Sequence, residues 1–327
     1  MNDCHTSCSM GFADHLLRPG NTNCAGCGMS LGLHWLEEAL HRETPMLVIP
    51  ACCGIVTAGA FPTTSYGAPT AAATFASAAS FATGLASVLD LNHDPTPVIC
   101  WTGDGGTYDI GMATLSAAAE RNENILYICY DNEIYGNTGG QRSSATPEGV
   151  VTTTTTRGKA ERKKDMMAIM AAHRIPYAAT LSLAHRDDFL RKMRLARGLR
   201  GFRFLLMLSP CPTGWKSEPG ESVELIREAV GCGLFPLYET FDGVRYRINV
   251  RPDETPLQQY LERQRRYQAA SVDPEHTHRS IEEQWRVLDA MASTFPAPDD
   301  PWTENDLIHP DRVDPARRTR LMEGASF

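Results

Sequence analysis

Val98-Ile99-Cys100-Trp101-Thr102-Gly103-Asp104-Gly105-Gly106 decides the fold once it is set beside Ile125-Leu126-Tyr127-Ile128-Cys129-Tyr130-Asp131-Asn132-Glu133. Two apolar runs of strand length each end at a polar turn, and a helical pattern over residues 110–121 separates them. Strand, helix, strand is the parallel βαβ unit, whose strands end on the same edge of the sheet. Asn132 follows Asp104 by 28 positions, so both stand at that edge on neighbouring strands. Asp104 would offer a carboxylate oxygen, Asn132 an amide oxygen and Ile134 a main-chain carbonyl. Hard oxygens of this kind suit magnesium, which completes its shell with phosphate oxygens. Gly103 and Gly105 would let the backbone approach a diphosphate. A lone Gly-Asp-Gly is most often an ordinary turn; the Asn closing the next strand is what makes the pair specific.

The alternation continues on both sides. Met29, Leu33, Leu36 and Leu40 recur at helical spacing over 28–41, and Met46-Leu47-Val48-Ile49-Pro50 reads as a buried strand ending at Ala51-Cys52-Cys53-Gly54. Residues 70–89 are almost all Ala, Ser, Thr and Gly, and read as a helix able to pack closely on another helix or a second subunit. Helices are expected over 166–173 and 186–199, and strands over 177–181 and 204–208, the last ending at Ser209-Pro210-Cys211-Pro212. This is an α/β fold, a parallel sheet with helices on both faces. From about residue 220 the pattern changes to a helix over 223–231, a hairpin across 238–250 turning at Asp242-Gly243, and charged helices near 256–270 and 279–292. The expected division is an α/β domain over 1–219 and a C-terminal hairpin and helical extension over 220–327. The tail from Phe295, rich in Pro, Asp and Arg, is expected to wrap a partner or stay disordered.

The 327 residues carry a net charge of −8 and 42% hydrophobic residues, which describes a globular chain and argues against a nucleic-acid binder. No apolar run reaches membrane-spanning length, and Met1-Asn2-Asp3-Cys4-His5 has no features of a secretory signal, so a cytoplasmic location is expected. In that compartment ten cysteines point to metal rather than disulfides.

Cys24-Ala25-Gly26-Cys27 sets two thiols in one turn, while Cys53 and Cys211 each follow a strand end. Since strand ends share an edge, all four could converge beside the Gly-Asp-Gly turn. Four thiolates suit a [4Fe–4S] cluster; a structural zinc, which also uses such pairs, is the alternative. Cys52 competes with Cys53. Cys100 and Cys129 read as small buried hydrophobes. Cys4, Cys8 and Cys232 have no convincing partners.

Together these stretches resemble the thiamine-diphosphate-binding β subunit of the 2-oxoacid:ferredoxin oxidoreductases, the pyruvate synthase family. Across residues 15–250 the resemblance rests on Cys24-Ala25-Gly26-Cys27-Gly28, Ile49-Pro50-Ala51-Cys52-Cys53, Gly103-Asp104-Gly105 and Pro210-Cys211-Pro212-Thr213-Gly214-Trp215. Its most diagnostic piece is Asp131-Asn132-Glu133-Ile134-Tyr135-Gly136-Asn137-Thr138-Gly139-Gly140-Gln141. It implies that Cys24, Cys27, Cys53 and Cys211 hold the cluster, the spacing to Phe61-Pro62 selecting Cys53 over Cys52. It also implies that Asp104, Asn132 and the Ile134 carbonyl hold magnesium, that Thr138 lies in the cofactor site, and that Asn137 lies near the reacting carbon. The implied activity is oxidative decarboxylation of a 2-oxo acid, pyruvate-like or aryl such as phenylglyoxylate, to its acyl-coenzyme A. Electrons would pass to the cluster and on to ferredoxin or NAD. An α-type subunit would supply the Glu that activates thiamine, since Glu133 sits on the metal-binding segment, and ferredoxin-like γ or δ subunits would complete the complex.

Plainer readings stand beside these. A non-redox thiamine decarboxylase or carboligase subunit with structural zinc would share the Asp104/Asn132 pair. A second reading of Asn137, Thr138 and Gln141 is as loop residues bonding their own backbone. The basic run from Arg157 to Lys164 reads first as a solvated helix face, and second as an anchor for coenzyme A phosphates. The cationic stripe Arg186, Arg191, Lys192, Arg194 and Arg197 reads as an ordinary exposed face, and the scattered histidines show no metal spacing.

Overall fold

A computed structural model of the chain describes residues 15–41, 43–59, 62–267 and 272–297. Near the middle of one eight-stranded sheet, β3 (Val98–Gly103) and β4 (Leu126–Asp131) pair in parallel with Gly103 opposite Tyr130. The other strands are β1 (Met46–Pro50), β2 (Thr70–Ala73), β5 (Tyr177–Ser182), β6 (Arg203–Leu208), β7 (Leu237–Phe241) and β8 (Arg245–Val250). They stand in the order β2-β1-β3-β4-β6-β5-β7-β8. The first six are parallel, and β7 and β8 extend the β5 edge as an antiparallel hairpin. That hairpin turns at Asp242 and Gly243, both in the left-handed region (φ 52° and 67°), as the tight turn there requires.

Helices cover both faces. Ile99, Trp101, Ile128 and Tyr130 pack with α1 (Gly28–Ala39) and α6 (Arg186–Gly198). The alternate side chains, Cys100, Tyr127 and Cys129, pack with α3 (Ala78–Leu91), α4 (Met112–Glu120), α5 (Met166–Ala172) and α8 (Ser222–Gly231). Every central strand is therefore buried on both sides, which explains its unbroken apolar sequence. Burial also raises the thiol pKa of Cys100 and Cys129, as expected of small core side chains.

Four sequence expectations need correction. The small-residue run is not one helix: Thr70–Ala73 pairs with Leu47–Pro50 as an edge strand, and only α3 is helical. Alanine and threonine in an unpatterned run give no period to read, so the neighbouring strand decides. The basic run contains no helix, and its lysines turn inward. The charged helix near 256–270 is only α9 (Leu257–Glu262). The last helix, α10 (Pro274–Thr294), starts earlier than its periodicity suggests, because Asp273 caps it by accepting from the Glu275 and His276 amides. Cys4, Cys8 and the tail beyond residue 297 lie outside the described residues.

Four of the five cations of the α6 stripe are paired rather than open. Lys192, fully buried, forms an ion pair with Asp188 at 2.6 Å and donates to the Thr180 carbonyl at 3.0 Å. Arg191 pairs at 2.7 Å with Glu239, a buried residue of β7 that also accepts from the Tyr177 hydroxyl at 2.7 Å. Arg186 pairs with Glu38 and Arg197 with Glu43.

Candidate functional site

The carboxyl edge of the sheet gathers the residues that carry chemistry. The paired ends of β3 and β4 put Asp104 beside Asp131 and Asn132. Asp131 pairs with Leu208 at the end of β6, and its carbonyl accepts from the Ser209 amide at 2.9 Å, so Cys211 leaves the same edge. Cys52 and Cys53 follow β1, the strand on the other side of β3. Finally, the Gly28 amide donates to the Pro210 carbonyl at 3.1 Å, which docks the Cys24–Cys27 turn on the segment leading to Cys211. Gly26 in that turn has φ +72°, and a side chain there would run into the Pro219 carbonyl. Only glycine fits.

Three of the four implicated cysteines begin helices. Cys27 is the N-cap of α1, Cys53 the first residue of α2 (Cys53–Ala58), and Cys211 the N-cap of α7 (Pro212–Trp215). As N-caps, Cys27 and Cys211 therefore face amide groups that bond their sulfurs and favour the thiolate against burial. The Gly214 amide donates to Cys211 Sγ at 3.4 Å. A methyl carbon built on Gly136 would lie 3.5 Å from Cys53 Sγ and 3.8 Å from Cys211 Sγ, so the two sulfurs lie no farther apart than the sum of those distances. Burial, and then Cys211, pushes the Cys53 thiol up to about 12; burial pushes Cys211 up to about 11, with Cys27 and Cys24 adding to it. Cys27, Cys53 and Cys211 thus sense their neighbours, and burial favours the protonated thiol at each of these three. Cys52 points elsewhere: its thiol donates to the Pro50 carbonyl at 2.9 Å, in the core.

Among the described residues no three Cys, His, Asp or Glu side chains are gathered closely enough to hold a single ion. Four thiolates are the donor set of a [4Fe–4S] cluster, which gives each its own iron, and of a structural zinc.

The oxygen site is buried. The Ser143 hydroxyl donates to Asp104. Burial, and next the adjacent Asp131, push the Asp104 carboxyl well above the usual range, while Ser143 and Lys163 pull it back. A cation beside it would relieve that burial penalty. Asn132 Oδ1 accepts from the Ile134 amide at 3.2 Å, which leaves its second lone pair, and no donor among the described residues meets the Ile134 carbonyl. Carboxylate, amide and carbonyl oxygens thus meet magnesium's preference. Gly105 also answers a packing demand: the space of its missing side chain is taken by Tyr135 and Phe75. Gly103, in contrast, has only ordinary contacts around that position. Asn137 is exposed, and its Oδ1 lies 3.8 Å from Cys53 Sγ. Thr138 donates to the Gln141 side chain at 2.6 Å and accepts back from it at its carbonyl, closing the loop.

An ion network beneath this edge was not legible in the sequence. Lys163 pairs with Asp131 at 2.6 Å and Glu133 at 2.8 Å; Arg266 pairs with Glu133 at 2.7 Å. Burial opposes the Glu133 charge, but Lys163 and Arg266 overcome it and hold the carboxyl below its ordinary value. Lys159, almost fully buried, donates to the Thr146 carbonyl at 2.6 Å, and Lys164 bonds the Tyr108 carbonyl. These lysines are internal ties, not a solvated face. Glu133 has φ +65°, a strained setting for glutamate held by its two partners. The only signal was the density of carboxylates at the turn, which demands cations from somewhere.

Residues 52–206 match the family model described as the thiamine pyrophosphate enzyme, C-terminal TPP binding domain. The ketoisovalerate oxidoreductase subunit VorB of Pyrococcus abyssi is 40% identical over 291 residues, covering 84% of this chain and 93% of that one. The pyruvate synthase subunit PorB of Methanothermobacter marburgensis is 41% identical over 261 residues, covering 78% of this chain and 90% of that one. Among solved structures, the 2-oxoglutarate:ferredoxin oxidoreductase from Magnetococcus marinus superposes with a TM-score of 0.55 at 23% identity, covering 68% of this chain and 82% of that one. That superposition shows a shared fold. Among the described residues no helix is long and apolar enough to cross a membrane.

Proposed function

We infer the function from the premise that this chain belongs to the β subunits of the 2-oxoacid:ferredoxin oxidoreductases. It is a subunit of a heteromeric 2-oxoacid oxidoreductase and carries a thiamine-diphosphate-binding domain. Beyond that, the proposal is a catalytic subunit for coenzyme A-dependent oxidative decarboxylation of a 2-oxo acid, pyruvate-like or aryl, in the cytoplasm, with ferredoxin or NAD as final acceptor. Bound thiamine diphosphate supplies the nucleophilic carbon and electron sink for decarboxylation, and a [4Fe–4S] cluster supplies a one-electron acceptor. Asp104, Asn132 and the Ile134 carbonyl would hold magnesium and, with Gly103, Gly105 and Thr138, the diphosphate end. Cys24, Cys27, Cys53 and Cys211 would hold the cluster.

The single observation that carries the reading is that cysteines from three distant segments come to the sheet edge that holds the Asp104/Asn132 pair. Asn137, whose Oδ1 lies 3.8 Å from Cys53 Sγ, would stand near the reacting carbon and orient the reacting molecule through its amide. Lys163 and Arg266 pair with Asp131 and Glu133 on either side of Asn132, so little reorganisation of that turn would be needed when charge develops. Glu133 is already paired with both cations, and so the glutamate that activates thiamine is proposed to come from an α subunit.

The test is the intact complex, purified without oxygen, given a panel of 2-oxo acids with coenzyme A and a viologen dye. Iron and acid-labile sulfide of about four each per β chain beyond what the ferredoxin-like subunits carry, with turnover only when the α subunit is present, is the expected outcome. Iron-free active complex, or full activity from this chain alone, would overturn it.

A further inference from the structure

We propose that Arg266 is a positioning residue that locks the Asn132 turn and the Cys211 turn into one rigid unit. The proposal rests on the reading of those turns as the magnesium and cluster sites. Arg266 is fully buried, and its guanidinium lies 4.1 Å above the Trp215 ring while forming an ion pair with Glu133 at 2.7 Å. Trp215 stands four residues beyond Cys211, and Glu133 stands between Asn132 and Ile134. One planar cation therefore touches both turns at once. Trp215 adds a second tie, as its indole N–H donates to the Asn132 carbonyl at 2.8 Å. The Arg266 amide donates to the Trp215 carbonyl at 3.4 Å, and its own carbonyl accepts from the Val151 amide at 3.0 Å, which fixes the backbone on both sides.

Trp215 and Arg266 both lie beyond residues 52–206, the stretch matched by the thiamine-binding domain model. The clamp is thus built from parts outside that domain, where the Cys211 turn and the C-terminal segment meet it. The reason for such a part is physical. Two sites that must exchange electrons need a fixed separation, yet they sit on turns from different strands, β4 and β6. Arginine suits the task because it stacks on an aromatic face and pairs with a carboxylate together, which lysine does not.

The test compares R266M and R266K with the wild-type complex. Three readouts are taken: thiamine diphosphate and magnesium binding by calorimetry, the EPR spectrum of the reduced cluster, and the melting temperature. R266M is expected to weaken thiamine diphosphate binding by roughly tenfold or more, about 1.4 kcal/mol, and to change the EPR line shape. R266K, which keeps the charge but not the stacking, is expected to restore binding in part and leave the spectrum altered. If R266M assembles and moves neither signal, or only one of them, the clamp is refuted. If R266M does not assemble, R266K decides by the same criterion. Wild-type complex lacking cluster iron or thiamine binding would instead refute the assignment of the two sites.

Discussion

Gly26→Ala should remove iron from the protein, and Gly20→Ala should not. Both glycines have left-handed backbones, φ +72° and +91°, so alanine at either costs roughly 1–2 kcal/mol in backbone strain. They differ in what surrounds the new methyl group. At Gly20 nothing lies within 4 Å; at Gly26 it would meet the Pro219 carbonyl oxygen and stand 2.8 Å from Pro219 Cα and Ser222 Oγ. Those atoms are mostly backbone and cannot swing aside, so the Cys24–Cys27 turn must move. Forced overpacking adds roughly another 1–3 kcal/mol. The displaced turn no longer presents its sulfurs to Cys53 and Cys211. The assay is iron and acid-labile sulfide per chain in complex purified without oxygen, with the EPR spectrum after reduction and a thermal melt for each variant. G20A should melt a few degrees lower, at roughly 2–4 °C per kcal/mol, and keep its iron. Full iron in a destabilised G26A would refute the placing of this turn among the ligands. Equal iron loss in both variants would show that instability alone, and not position, empties the site.

Gly136→Ala tests the same space from the other side. Its methyl would make only ordinary contacts with Cys53, Cys211 and Asn132, so the melting temperature should stay within a few degrees while iron content falls; unchanged iron would put the cluster elsewhere. Glu239→Gln tests the hairpin's attachment. Burial opposes the Glu239 charge, but the Arg191 hydrogen bond and charge outweigh it and lower the folded-state pKa, so its contribution is present above the unfolded value of about 4.3 and lost as pH falls through the lower folded value. E239Q should be less stable than wild type at pH 7 by roughly 3 kcal/mol or more, and the gap should close below about pH 4. A gap that does not change with pH would contradict the ion-pair account.

Much of the fold was legible because its causes are local. The apolar runs before Asp104 and Asn132, the glycine turns and the Asp242-Gly243 hairpin each announce themselves within a few residues. One topological rule then did what local reading cannot: parallel strands end on a common edge, so Cys53, Asp104, Asn132 and Cys211 become neighbours although more than 150 residues separate the first from the last. The edge strand β2 was not legible, since Thr70–Ala73 has neither alternation nor bulk and becomes a strand by pairing with β1. Asp273-Pro274 did carry a start signal for α10, in a cap rather than in the periodicity.

The charges failed for a deeper reason. Lys159, Lys163, Lys192 and Arg266 all sit in segments whose composition suggests solvent, and all are turned into the protein. A basic residue is expected outside because an unpaired buried charge is costly, but that expectation assumes no buried partner. The edge that collects Asp104, Asp131 and Glu133 supplies partners in excess, two of them next to Asn132. Carboxylates that dense cannot all remain ionised in the interior without cations. Residues 163 and 266 answer that demand from two different parts of the chain. Their inward turn is therefore a consequence of the site, and the number of acidic groups at a strand end, more than the local pattern of lysines, is the quantity from which such buried cations can be read.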